Sequence, residues 1–100
     1  MTKIKKYVED IDDELESAKE YSEKYLWYKS KNNSMRANKY KEMAAQELSH
    51  AMNLHEFAME DIDQLKKTYP VIPSNMMEKW EASHNDFVER MAWIKQMLAM

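Results

Sequence analysis

Residues 40–58, YKEMAAQELSHAMNLHEFA, decide the fold. Tyr40, Ala44, Glu47, Ala51, Leu54 and Ala58 recur at steps of four and three, the repeat that lines side chains along one face of an α-helix. Asp61 and Leu65 carry the rhythm further, with Ile62 alongside. Polar turn formers bound the stretch upstream, at Lys29-Ser30-Lys31-Asn32-Asn33-Ser34. Downstream, Tyr69-Pro70-Val71-Ile72-Pro73-Ser74-Asn75 contains both prolines of the chain. Helical periodicity stops only at these two places.

The same spacing appears on either side. Ile4, Val8, Ile11, Leu15, Ala18, Ser22 and Tyr25 form one seam, and Lys29 is its first member to leave the core. Met77, Trp80, His84, Phe87, Met91, Ile94 and Leu98 form another. The reading is an all-α chain, a single domain over 1–100, with three long antiparallel helices at about 3–30, 34–67 and 75–99. Ser34 is the expected N-cap of the second helix. Asn75 with Glu78 forms a capping box for the third, with Ser74 as the alternative cap.

Composition agrees. The 100 residues include no Gly, and Gly supplies the positive φ angles on which tight hairpins and phosphate-cradling loops depend. Sheet folds, Rossmann folds and P-loops are therefore disfavoured. A chain this short buries only roughly 60–65% of its unfolded surface. Three helices of roughly 40, 50 and 37 Å leave one side of their shared core open. A homodimer or higher homo-oligomer is expected to cover it, with the ten Met residues as gap-fillers of an ordinary core or as an adaptable apolar surface, and Trp27, Trp80 and Trp93 as core or dimer anchors.

The net charge of −3 provides no basic stripe for a nucleic-acid backbone. The opening residues reach Glu9 and Asp10 without an apolar run, which reads as neither a signal peptide nor a membrane span. No helix has the basic polar face of a membrane-surface binder. The expected location is cytoplasmic. The lack of Cys removes thiol catalysis, disulfides and zinc–thiolate sites.

Two seams carry an ionisable residue where an apolar one belongs: Glu47, and His84 between Trp80 and Phe87. A lone carboxylate in a bundle core costs several kcal/mol unless it is paired, protonated or metal-bound. His50 lies one turn on from Glu47, so Glu47-Leu48-Ser49-His50 aims a carboxylate and an imidazole from one helix face toward a common point. Ala44, Ala45 and Ala51 flank the pair with small side chains. Glu14, beside the seam of the first helix, is the natural third ligand. Folding the chain about Asn32 and Asn33 leaves Glu14 and Glu47 offset by roughly four residues, about 6 Å at the helical rise. This donor set suits iron, manganese or zinc.

Simpler readings stand beside that one. Glu47 and His50 can form an ion pair joined by Tyr21 or Tyr25. Glu81-Ala82-Ser83-His84 repeats the motif as a lesser candidate, although a tight joint places His84 level with Phe57, away from His50. As a satisfied seam residue, His84 would have Glu60 as its expected partner. His55 and Glu56 read as solvated.

Glu14, Ala18 and Tyr21, followed by Tyr40, Glu42, Ala44, Gln46 and Glu47-Leu48-Ser49-His50-Ala51, resemble the first hairpin of the ferritin-like superfamily, particularly its rubrerythrin-type members. The resemblance covers somewhat under half the chain. It implies a half-bundle bearing half of a di-iron carboxylate site for iron oxidation, peroxide reduction or oxygen activation, in which Glu47 bridges or caps two ions while Glu14 and His50 each terminate one. The family's second hairpin is missing; Glu81 and His84 could stand in for its Glu-x-x-His if the Pro-loop climbs back, and an equally good completion is a two-fold dimer that duplicates Glu14, Glu47 and His50. The whole chain is also similar in texture to small proteins encoded in phages and prophages of Firmicutes, a resemblance that names no activity. The alternative class is a non-catalytic helical interaction protein with an ion-paired or relic Glu/His group and a partner protein.

Overall fold

A computed structural model describes residues 2–100, with side chains from residue 3 onward. It consists of α1 (Thr2–Ser30), α2 (Ser34–Thr68) and α3 (Ser74–Ala99) and forms a rod of 57 × 18 × 17 Å. The expected three-helix, all-α architecture is therefore observed. Both α1 and α3 run antiparallel to α2. At one end of the rod Ile4 shares a core cluster with Trp80, and at the other Lys29 Nζ donates to the Met100 carbonyl.

The first joint shows how a chain without Gly reverses direction. Asn32 takes φ 59°, the left-handed region that Asn tolerates better than most residues. The Asn33 N–H donates to Tyr28 O at 3.0 Å and the Asn32 N–H to Lys29 O at 3.1 Å, which together satisfy the carbonyls at the end of α1 as a Schellman motif does. Asn33 then caps α2, its side-chain oxygen accepting from the Arg36 N–H at 3.2 Å. The cap therefore falls one residue before the expected Ser34, because closing α1 already places Asn33 outside both helices. At the second joint the capping box of Asn75 with Glu78 does not form, and neither Ser74 nor Asn75 is the cap. Pro73 holds that position with no side-chain hydrogen bond, and its carbonyl accepts from the Met76 and Met77 N–H groups.

Packing between α1 and α2 is close because small residues meet. Ala18, Ser22, Ala44, Ala51 and Ala58 are completely buried. Ser22 stays satisfied by donating to Ala18 O at 2.7 Å. Leu15 and Ile94 complete the tightest part of the core. On α2 the buried strip is Ala37, Ala44, Leu48, Ala51, His55, Ala58 and Ile62. Leu48, His55 and Ile62 each follow by one position the residues of the expected seam, Glu47, Leu54 and Asp61, which are half-buried at its edge. The displacement arises because α2 faces two helices, so its covered strip extends beyond the narrow seam that α1 alone requires.

The third helix lies against α1 and scarcely approaches α2 at the level of the backbone. Arg90 clamps it there, its guanidinium reaching Asp12 and, at 3.4 Å, Glu16, both on α1, while Asp86 on α3 lies at 3.3 Å. Asp12 and Glu16 each stand two positions from Glu14, roughly 200° around the helix. The edge of the α1–α2 hairpin that carries Glu14 consequently has no third helix on it. Met43 and Phe57 on that edge are 37% and 49% exposed. Of the three Trp residues only Trp80 is in the core, while Trp27 and Trp93 stand on the surface. Among the described residues, no helix is long and apolar enough to cross a membrane.

Candidate metal centre

Register positions the carboxylates. Lys3 Nζ meets Asp61 Oδ2 at 3.1 Å, and His50 Nδ1 meets Glu14 Oε2 at 3.6 Å; the two pairs straddle Asn32 symmetrically. Glu14 is thus level with His50, and Glu47 sits one turn nearer the joint. The expected offset between the two glutamates remains about one turn, and it is spanned because Glu47 and His50 share a face of α2 while Glu14 stands level with His50. The buried Ala18, Ala44 and Ala51 bring the backbones near enough for those short arms to converge. Ala45, by contrast, is exposed and plays no part in this approach.

Glu14, Glu47 and His50 each offer one ligand atom, and these atoms all lie within 4.8 Å of one another. His50 Nδ1 is 3.6 Å from Glu14 Oε2 and 3.9 Å from Glu47 Oε2. Both distances exceed a hydrogen bond. Both fit two ligands of one ion, because donors each about 2.0–2.2 Å from a metal stand at most about 4.4 Å apart. The carboxylates are partly shielded, with side-chain exposures of 29% for Glu14 and 24% for Glu47, while His50 is 57% exposed. Two oxygen donors and one imidazole on a half-open edge form an incomplete shell that leaves positions for further ligands. The donor set fits iron, manganese or zinc. About two helical turns from the group, toward the first joint, Tyr21 and Tyr40 pack together with ring centroids 6.1 Å apart, and Tyr40 stacks on Tyr28 at 5.5 Å.

Glu81 and His84 do not join this group. His84 instead faces His55 across the α2–α3 cleft, with His55 Nε2 and His84 Nδ1 2.8 Å apart. His84's partner is therefore His55 rather than Glu60, close to the height of Phe57 that the register predicts. His55 itself overturns an expectation: it is only 8% exposed. Phe87 stacks on it at 4.3 Å with ring planes 5° apart, and Trp80 stacks at 5.3 Å. Burial, and then the neighbouring His84, push the His55 pKa below the usual imidazole value. A signal for this lay in the sequence, because His55 follows Ala51 by four and precedes Ala58 by three. The Arg90 clamp had no such signal, since its α1 partners lie more than seventy positions away.

Compared with protein-family models, with curated proteins and with solved structures, the chain matches none.

Proposed function

We propose that this protein binds a transition-metal ion, iron before manganese or zinc, through Glu14, Glu47 and His50. The supporting observation is the convergence, within 4.8 Å, of one carboxylate oxygen from α1 with a carboxylate oxygen and an imidazole nitrogen from α2. The charge count suits a divalent cation: two carboxylates neutralise it, and a neutral imidazole adds a borderline donor. The resemblance of this hairpin to the ferritin-like superfamily favours iron, which when bound supplies redox chemistry toward iron(II), peroxide or oxygen. In this reading Glu14 holds the ion from α1, and Glu47 and His50 hold it from α2.

Three donors do not complete a shell, and the edge that carries them bears no third helix. A second copy is the proposed completion. Met43, His50 and Phe57 recur every seven residues and so run in a line along α2, placing an apolar contact on either side of the imidazole. A two-fold axis near His50 would set Glu14, Glu47 and His50 of both chains around one centre.

Anaerobic titration with iron(II), followed by admission of air, tests the reading. Stoichiometric binding and a ferric absorption band are expected. Glu47→Ala and His50→Ala should lose both while retaining helicity. No binding at micromolar metal contradicts the proposal, and would return the triad to an ion-paired group in an interaction protein. Sedimentation with and without metal tests the second copy, for which the mass of two chains is expected.

A further inference from the structure

We propose that the His55–His84 pair is a proton-operated latch, which holds α3 to α2 while the two imidazoles carry no more than one positive charge between them and lets go when both are charged. The geometry is that of a direct imidazole–imidazole hydrogen bond. The ring centroids are 5.0 Å apart and the facing nitrogens 2.8 Å, so the difference is taken up by the two ring radii and the nitrogens lie nearly on the line of centres. The planes differ by only 28°. One ring donates its N–H into the other's lone pair, which requires at least one imidazole to be neutral.

Its position makes the pair a latch. Backbone approach between α2 and α3 is slight, so the two helices are joined by large side chains. His55 enters α3 between Trp80 and Phe87, with ring centroids 5.3 and 4.3 Å away, and meets His84 head-on. A single proton added to the pair can be shared along the hydrogen bond. A second removes the last acceptor and sets two positive charges face to face in a largely buried site, and like charges at that range oppose joint ionisation strongly.

The charged surroundings do not relieve this. On α2, Glu56 attracts a proton to His55, a weaker influence than burial and His84. On α3, Glu81 lines the cleft with His84, Met59, Trp80 and Asn85, yet makes no ion pair with either imidazole. On α1, Asp12 and Glu16 face α3 and, with Asp86, are engaged by Arg90; Lys79 stands beside Asp12 and Asp86 in the α1–α3 groove. Release of α3 from α2 would uncover the α2 side of the shared core at Leu48 and Ala51, while the contact with α1, the Arg90 clamp and the Lys29–Met100 hydrogen bond still hold α3 to the hairpin.

The test is an acid titration of the intact protein from pH 8 to 4, following the imidazole carbon-bound protons and the Trp80 indole by NMR. His55 and His84 should titrate together in two separated steps, with the Trp80 signal changing at the second while far-UV ellipticity is largely retained. His84→Phe keeps the aromatic packing but removes the second charge, so the two steps should collapse to a single His55 step and the Trp80 transition should move with it; His50→Gln should leave both steps in place. Single, independent steps for His55 and His84, or a Trp80 transition at the same pH in wild type and His84→Phe, would overturn the proposal. If His84→Phe fails to fold, the wild-type imidazole titration decides alone.

Discussion

His50 and His55 stand five residues apart on one helix and have opposite surroundings. His50 is solvent-facing between two carboxylates of the α1–α2 edge, whereas His55 is buried among aromatic rings of α3 and touches no carboxylate. Five residues turn a helix roughly 140° beyond a full revolution, enough to pass from one flank of α2 to the other. One flank is therefore suited to holding a cation, and the other to excluding charge. The two sites share a scaffold in the buried alanines of α2, yet rest on different physics, ligand convergence in one and desolvated packing in the other.

Substitutions should separate them. His55→Ala removes two ring stacks and leaves His84 unpartnered, so a loss of about 2–4 kcal/mol is expected from urea unfolding. His50→Ala, at an exposed position, should stay within about 0.5 kcal/mol. A similar cost for both would erase the distinction. Metal should act in the opposite sense. At one hundred times its dissociation constant, manganese(II) should stabilise the wild type by about 2.7 kcal/mol, and Glu47→Ala should lose this gain, as read from thermal unfolding.

A further contrast concerns pH. The folded state holds the His55 pKa below its unfolded value, so the unfolded chain takes up the proton first. The stability contributed by neutral His55 is thus complete above about pH 6.5 and falls as the pH drops toward the lowered folded value. Urea midpoints at pH 7.5 and 5.5 should differ for wild type and less for His55→Phe. Smaller still are the joint residues. Asn33→Ala should cost about 1 kcal/mol through loss of the α2 cap, and Asn32→Gly should gain up to about 1 kcal/mol by relieving the positive φ.

Much of this was readable from apolar spacing alone. The seam from Ile4 to Tyr25 is buried along nearly its whole length, and the polar run at 29–34 and the two prolines mark both joints, because these features depend on local backbone preference and helical period. Glu14, Glu47 and His50 could be grouped for a related reason: a short joint ties the register of α1 to that of α2. What depended on α3 was not readable in the same way. Its docking on α1 rather than evenly on both helices, the Arg90 clamp and the burial of His55 all follow from where a five-residue proline joint delivers the third helix, which no local pattern specifies. His55 was hidden by an ambiguity of phase. Ala44, Ala51 and Ala58 accept either Glu47 and Leu54 or Leu48 and His55 as companions in the seam, and the wider strip required by two neighbouring helices selects the second pair for the core.

The central claim is that only one flank of α2 binds metal, and paramagnetic broadening by manganese(II) tests it most directly. With substoichiometric manganese(II) added to the wild-type protein, the imidazole signal of His50 should vanish first while those of His55 and His84 persist. Equal broadening of all three, loss of His84 together with His50, or no broadening at micromolar metal would contradict the account.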